Sequence, residues 1–182
     1  MSTTITTGKV RFSYLNVFTP RSMNDGDTAK YSVSLIIPKD DTATIEKIQA
    51  AIKKAYQNGK SVFGGKLPKS WKNPLRDGDT DRDDDDPAYE GCYFVNASTT
   101  RKPGIVDKDM NAILNVEELY SGCYGRVNVN FYAFNVSGNK GVACGLNHLQ
   151  KLADGEALGG SRVSVEDAFA EEWADDDDSL LG

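Results

Sequence analysis

The sequence predicts a mainly β fold, a partly open β-barrel with one capping α-helix, followed by a disordered acidic C-terminal tail. Segments with strand-like alternation dominate the chain, only one segment has helical spacing, and residues 153–182 have neither. Strands that are mostly adjacent in sequence favour a barrel over a parallel sheet. With 182 residues, the chain fits one domain, which we place at 1–152, and a tail at 153–182.

Alternating apolar and polar residues mark the strands. In the clearest one, 29–37, the apolar face runs from Tyr31 to Ile37. The alternation slips near Tyr14, which predicts a bulge, and Gly125 interrupts another strand, which predicts a bulge or a sharp bend. The other predicted strands are 9–19, 91–99, 120–136 and 142–151, with a hairpin turn at 137–141 and a short hairpin within 105–118.

Apolar residues recur at helical spacing over 42–58. Asp41 or Thr42 can cap the start of this segment, and Gly59 follows its end. We expect one helix here, plugging one end of the barrel.

The charge of the chain is segregated. The net charge of -6 averages a tail of -9 with a body, 1–152, of +3. Seven of the acidic residues of the body lie in 77–86, and without that stretch the body carries +9. A basic body with separated acidic segments indicates a polyanionic partner and a tail that competes with it.

The chain lacks the residue patterns of the common catalytic and metal sites. His148 is the only histidine, and Cys92, Cys123 and Cys144 lack the spacing of a zinc site. No phosphate-binding glycine loop or nucleophile elbow occurs. We therefore expect a protein that is not an enzyme and binds no cofactor or metal. An odd number of cysteines and the lack of a signal peptide or an apolar spanning segment predict a cytoplasmic protein.

The acidic stretch 77–86 resembles the start of a calcium loop, because Asp77, Asp79 and Asp81 alternate. The sixth position is Arg82 where such loops need glycine, and the twelfth is Ala88 rather than a bidentate Glu. A solvated loop that repels misplaced phosphates is the favoured interpretation. A metal-dependent nuclease that uses these carboxylates stays as an alternative hypothesis.

Aromatic residues interleaved with cations predict binding of single-stranded nucleic acid, where a basic groove holds phosphates and flat side chains stack on bases. Single-stranded DNA is the first candidate and RNA the second. Trp71, between lysines in a long loop, is expected to be free for stacking, whereas Phe18 and Phe94 fit a core as well as a binding surface. The candidate residues are Arg11, Phe18, Arg21, Lys30, Lys66, Lys69, Trp71, Lys72, Arg76, Phe94, Arg101, Lys102, Arg126, Tyr132 and Lys140.

The tail combines negative charge with apolar residues. Such a segment can lie in a basic groove when DNA is absent and bind a replication or recombination protein when DNA displaces it. The predicted tail residues for this role are Phe169, Trp173, Asp175, Asp176, Asp177, Asp178, Leu180 and Leu181. A protein-interaction module that mimics DNA is a further alternative, although the basic body argues against it. The sequence is compatible with a monomer and with a dimer.

Four segments, 10–14, 30–38, 145–151 and 154–160, resemble a family of small single-stranded-DNA-binding proteins encoded by phages and prophages. The resemblance implies an OB-like barrel, sequence-independent binding of single strands during phage replication or recombination, and a detachable acidic C-terminus. Two features depart from related proteins. The tail ends in Leu-Leu-Gly where bacterial tails end in Pro-Phe, and the predicted helix follows the second strand, earlier than is usual in OB folds.

Overall fold

The computed structural model describes residues 3–22, 28–82, 86–158 and 169, and it confirms the mainly β class with one α-helix in this part of the chain. Two short strands, β1 and β4, come in addition to the predicted ones, and β6 lies at the start of the predicted short hairpin. The elements are β1 (Thr4–Thr6), β2 (Val10–Arg21), β3 (Lys30–Pro38), α1 (Thr42–Asn58), β4 (Arg76–Asp77), a 3₁₀ turn (Pro87–Tyr89), β5 (Cys92–Thr99), β6 (Gly104–Val106), β7 (Tyr124–Val136) and β8 (Asn139–Ala153).

Five strands pair in a ring, in the order β7–β2–β3–β5–β8, and β8 pairs with β7 again. Two joints are narrow. The antiparallel joint between β2 and β7 rests on Val10–Gly125 and Arg11–Tyr124, and the parallel joint between β5 and β8 rests on two pairs as well. The ring is therefore closed but loosely joined at two places, which corresponds to the partly open barrel predicted from the sequence.

The interior of the ring is filled by the inward faces of its strands. Phe12 of β2, Leu35 of β3 and Phe131 of β7 are each 1% exposed or less. Helix α1 covers one end of the ring, packing against β1, β7 and β8 with buried residues such as Ile48. The Asp41 carboxylate accepts the backbone N–H of Thr44 at 3.2 Å, so one of the two predicted capping residues caps the helix.

The two predicted irregularities are present. Tyr14 has a φ of 48°, and the register of β2 with β3 shifts between Ser13 and Asn16. The register of β7 with β8 shifts at Gly125. A two-residue turn, Ser137–Gly138, joins β7 to β8, and both residues have positive φ, as a type I′ hairpin requires.

Some predicted boundaries differ from those observed. Strand β7 begins at Tyr124 rather than Tyr120, because Cys123 donates its N–H to the Tyr120 carbonyl in a turn that contains Gly122 at a φ of 117°. The 105–118 segment contributes β6, which pairs in parallel with β8, and a single antiparallel bridge from Val106 to Ala112. No helix in the described residues has the length and apolarity to cross a membrane.

The close packing at Gly125 makes this position intolerant of a side chain. A Cβ here would lie 2.7 Å from Cζ of Phe12 and nearer still to the Gln150 carbonyl oxygen. We expect Gly125→Ala to lower the free energy of unfolding by about 1–3 kcal/mol, the usual cost of overpacking a core. Urea denaturation followed by circular dichroism measures the change, and an unchanged midpoint would contradict it.

Candidate nucleic-acid interface

A groove lies on the outer face of β2, β3 and β5, with a volume of about 750 Å³. We call it the outer groove. Its walls carry cations and a tyrosine, and its floor is made of small polar side chains. The lining residues are Tyr14, Asn16, Arg21, Thr28, Lys30, Ser32, Val33, Ser34, Arg82, Asn96 and Ser98.

Strand register extends this floor around the ring. Asn16 pairs with Ser32, and Ser32 pairs with Ser98. Ser98 pairs with Gly145, and Gly145 pairs with Asn130. Because neighbouring strands lie about 4.8 Å apart, this polar row crosses roughly 19 Å of surface from β2 to β7. None of its members carries a large side chain, so a flat ligand can approach the backbone along the whole row.

An exposed tyrosine stands at each end of the polar row. Tyr14, beside Asn16, is 58% exposed, because the bulge turns it out of the β2 alternation. Tyr132, two residues from Asn130, is 45% exposed, and one edge of its ring lies beside Gly145. Exposed aromatic rings offer stacking surfaces for bases of any sequence.

Arg82 is the best-anchored cation of the outer groove. Its guanidinium lies 3.7 Å from the centre of the Tyr89 ring, and it donates a hydrogen bond of 3.3 Å to the Tyr14 hydroxyl. Tyr89 is fully buried on the outer face of the sheet and donates its hydroxyl hydrogen to Oγ of Ser34 at 3.0 Å. The aromatic contact and the hydrogen bond hold the Arg82 guanidinium in one orientation. An exposed arginine without such contacts would sample many rotamers.

Lys39 holds the first part of the acidic stretch in place. Its ammonium lies 2.9 Å from Asp77 and 2.8 Å from Asp79, and the hydrogen bonds from this lysine lower the pKa of both carboxyls. The same bonds raise the pKa of Lys39. Both carboxylates keep contact with solvent, as a solvated loop predicts, and the Lys39 ammonium in addition lies between them. Asp77 and Asp79, two of the carboxylates that the nuclease hypothesis uses, are thus paired with a lysine in this structure.

The predicted site residues divide between the outer groove and other surfaces. The groove brings together Arg21 and Lys30, and Tyr132 lies at the far end of the polar row. Sequence reasoning missed Tyr14, although the slip in alternation that predicted a bulge there was the signal that this side chain points outward. It also missed Arg82, because the sequence shows this residue only as the one cation within the acidic stretch.

Phe94 does not offer a stacking surface in this structure. It is 3% exposed, and the Tyr89 ring packs edge-on against it with centroids 5.2 Å apart. Arg76 and Arg82 lie over its ring, each 5.5 Å from its centre. Arg76 also donates to the Asp81 carbonyl, so it is engaged within the acidic loop.

Trp71 is not the free loop side chain that the sequence predicts. It is half-buried against the main core and stacks on Tyr56 with centroids 4.8 Å apart and an interplanar angle of 22°. The Tyr56 hydroxyl donates to the Pro68 carbonyl, which fixes the loop on helix α1. Phe18 likewise packs against the main core.

Arg11 has a structural role. Its Nε donates to the Gly122 carbonyl at 3.0 Å and a terminal nitrogen donates to the Glu156 carbonyl at 2.7 Å. These bonds tie the chain after β8 to the turn before β7. Leu158 completes the contact by donating its N–H to the Ser121 carbonyl.

Other predicted cations lie outside the lining of the outer groove as far as the chain is described. Lys72 donates its backbone N–H to the Lys140 carbonyl, so the loop after α1 joins the start of β8. Arg126 donates to Oε1 of Gln150 on the face of β7 and β8. Four further predicted cations are exposed and do not line the outer groove: Lys66, Lys69, Arg101 and Lys102.

His148 and the three cysteines lie on or beside the strands of the sheet. Nδ1 of His148 accepts the backbone N–H of Gly104 at 3.0 Å, which joins β6 to β8. Cys123 and Cys144 are buried, and burial raises the pKa of both thiols; Cys92 is half-buried. The predicted tail residues lie outside the described part of the chain, apart from Phe169, which is exposed.

Comparison with known proteins identifies the family of this chain. The family described as the single-stranded-DNA-binding protein of Enterobacter phage Enc34 matches residues 3–180. The chain belongs to this family. Protein p50 of Acyrthosiphon pisum secondary endosymbiont phage 1 is 30% identical over 181 residues, which cover 94% of this chain and 95% of that protein. The resemblance found in the sequence is thus confirmed.

Two solved structures share the fold. The Enc34 protein in complex with single-stranded DNA has a TM-score of 0.77 and 26% identity, covering 86% of this chain and 89% of that chain. The single-stranded-DNA-binding protein gp2.5 of bacteriophage T7 has a TM-score of 0.61 and 14% identity, covering 94% and 95%. The OB-like, mainly β class predicted for this family member is confirmed.

The contacts of Lys39 predict how the acidic loop responds to pH. Since the pKa values of Asp77 and Asp79 are lowered in the folded state, the ion pairs stabilise the loop fully above pH 3.8, the ordinary value. This contribution is lost as the pH falls through the lowered values. Carboxyl ¹³C titration by NMR is expected to give midpoints below 3.8 for both residues.

Lys39→Met removes the cation and is expected to move both midpoints upward. Lys47→Met, on the exposed surface of α1, is the matched control and leaves them in place. Equal midpoints in the wild type and in Lys39→Met would show that the ion pairs are absent in solution.

Proposed function

We propose that this protein binds single-stranded DNA without sequence preference along the outer groove and the polar row, during phage DNA replication or recombination. The observation that carries the proposal is the coincidence, on one face of the ring, of Arg21, Lys30 and Arg82 with the exposed ring of Tyr14. Membership of the Enc34 family and the resemblance to a structure that contains single-stranded DNA support it.

The groups on this surface suit each part of a single strand. The cations of the outer groove neutralise phosphates, and Tyr14 and Tyr132 stack on bases. The serine hydroxyls of the polar row both donate and accept hydrogen bonds, so they can pair with either kind of group on a base edge. Binding of this kind is sequence-tolerant, because stacking and phosphate contacts dominate it.

The remaining features of the proposal concern the whole chain. The binding domain is 1–152, and 153–182 is an acidic tail that competes with DNA and recruits a replication or recombination protein. The protein acts by binding rather than by catalysis, and it works in the cytoplasm of the host cell. A role in binding RNA is a secondary possibility that the same assays test.

Charge removal in the outer groove tests the proposed path of the DNA. We expect the double variant Arg21→Gln, Lys30→Gln to bind oligo-dT more weakly. The slope of log affinity against log salt should also fall in magnitude by about 1.4, because each lost phosphate contact removes about 0.7. Fluorescence anisotropy of a labelled oligonucleotide at several salt concentrations measures both quantities.

The matched control is Arg101→Gln, Lys102→Gln, which removes two exposed charges from the turn after β5. This control should keep the wild-type slope. An unchanged slope in the groove variant together with a reduced slope in the control would place the DNA on the turn, against the path proposed here.

Shortening the acidic tail tests the proposed competition. A chain ending at Ala174 lacks the four aspartates 175–178 and the two leucines that follow. We expect it to bind oligo-dT more tightly than the full chain at low salt and to approach it at high salt, because screening weakens the competing attraction. Identical affinities at low salt would remove the competition from the proposal.

A further inference from the structure

Gly145 lies in the interior of β8, where glycine is costly. A strand glycine has no side chain to pack, and it loses more conformational freedom on folding than other residues. Gly145 pairs with Ser98 of β5 on one side and with Asn130 of β7 on the other. It is therefore the fourth of the five members of the polar row, between Ser98 and Asn130.

The fold itself does not require glycine at this position. The backbone of Gly145 is outside the left-handed region, where glycine is favoured. A Cβ built there would meet its nearest neighbours at 3.4 Å, the Asn130 carbonyl oxygen, and at 3.5 Å, Cε1 of Tyr132. Both are ordinary contact distances, so alanine fits without movement of the backbone.

The other glycines in the described strands differ in this respect. A Cβ at Gly104 would lie 2.6 Å from Nδ1 of His148, and one at Gly125 would lie 2.7 Å from Cζ of Phe12. At Gly141 it would lie 2.6 Å from the Lys72 carbonyl oxygen. Internal packing accounts for these three glycines, and it does not account for Gly145.

The surroundings of Gly145 supply the missing reason. The residue separates Ser98, in the floor of the outer groove, from the exposed ring of Tyr132. Any side chain at 145 would rise as a ridge across the polar row and cover part of the Tyr132 ring. Close approach of a ligand to the backbone is a usual reason for glycine within a strand.

We propose that Gly145 is the point at which a single strand of DNA leaves the outer groove and crosses β8. The base that stacks on Tyr132 lies directly over the Gly145 backbone. This inference rests on the proposed function and adds a second contact region, on β7 and β8, to the groove on β2, β3 and β5. The bound strand is accordingly longer than the outer groove alone accommodates.

The test compares Gly145→Val with the wild type on two lengths of oligo-dT. One has about four nucleotides and the other about sixteen, the ends of the range of site sizes for OB folds. We expect Gly145→Val to bind the long oligonucleotide at least about 5-fold more weakly, the smallest effect of losing one stacked base. Binding of the short one, which fits the outer groove, should be unchanged.

Three further variants keep the result interpretable. Gly145→Ala is expected to show an equal or higher melting temperature and a smaller loss of affinity, which separates binding from folding. Tyr132→Leu should reproduce the loss on the long oligonucleotide only. Ala43→Val adds bulk at an exposed position of α1 and should alter neither affinity.

The outcomes separate this inference from the proposed function. If the wild type binds neither oligonucleotide, the proposed function itself is wrong. If the wild type binds and both Gly145 variants bind the long oligonucleotide equally well, the crossing at Gly145 is wrong while the function stands. Equal weakening on both lengths would also overturn the crossing, because it would place the effect in the outer groove.

Discussion

The register of the closed ring is the constraint on which the surface of this protein depends. Inward residues such as Phe12, Leu35 and Phe131 fix which face of each strand is buried, and the opposite face is thereby fixed as well. Because side chains alternate, a register slip of one residue in any strand would turn that strand's residue of the polar row toward the core. The alignment of Asn16 with Asn130 across four inter-strand steps is thus a consequence of core packing.

Charge segregation takes a different form in the structure from the one that composition indicates. The basic residues divide between the outer groove, with Arg21, Lys30 and Arg82, and other surfaces that include the loop after α1. Part of the acidic stretch is neutralised locally by Lys39 rather than left free to repel phosphates. The same stretch also contains Arg82, which lines the outer groove. A segment with a negative net charge therefore contributes a positive charge to the site.

Local patterns were sufficient for the elements and insufficient for the site. Helix α1 has the predicted bounds, and the slip in alternation located the bulge at Tyr14, because both signals lie within a few neighbouring residues. The exposure of an aromatic ring depends on distant residues instead. Phe94 is covered by Tyr89, and Trp71 is covered by Tyr56, whereas Tyr14 is left open. The residue pattern within one strand or loop does not show whether a distant side chain packs on an aromatic ring.

Residues 154–158 are held on the surface of the domain by hydrogen bonds from Arg11 and to Ser121. Arg11 holds the Glu156 carbonyl, and Leu158 packs on the cluster of Tyr89 and Phe94 over which Arg82 lies. Leu158 therefore packs on the same aromatic cluster as Arg82, which lines the outer groove. In the proposed competition, the local concentration of the tail would depend on the length and stiffness of the chain after Leu158 and not on the protein concentration.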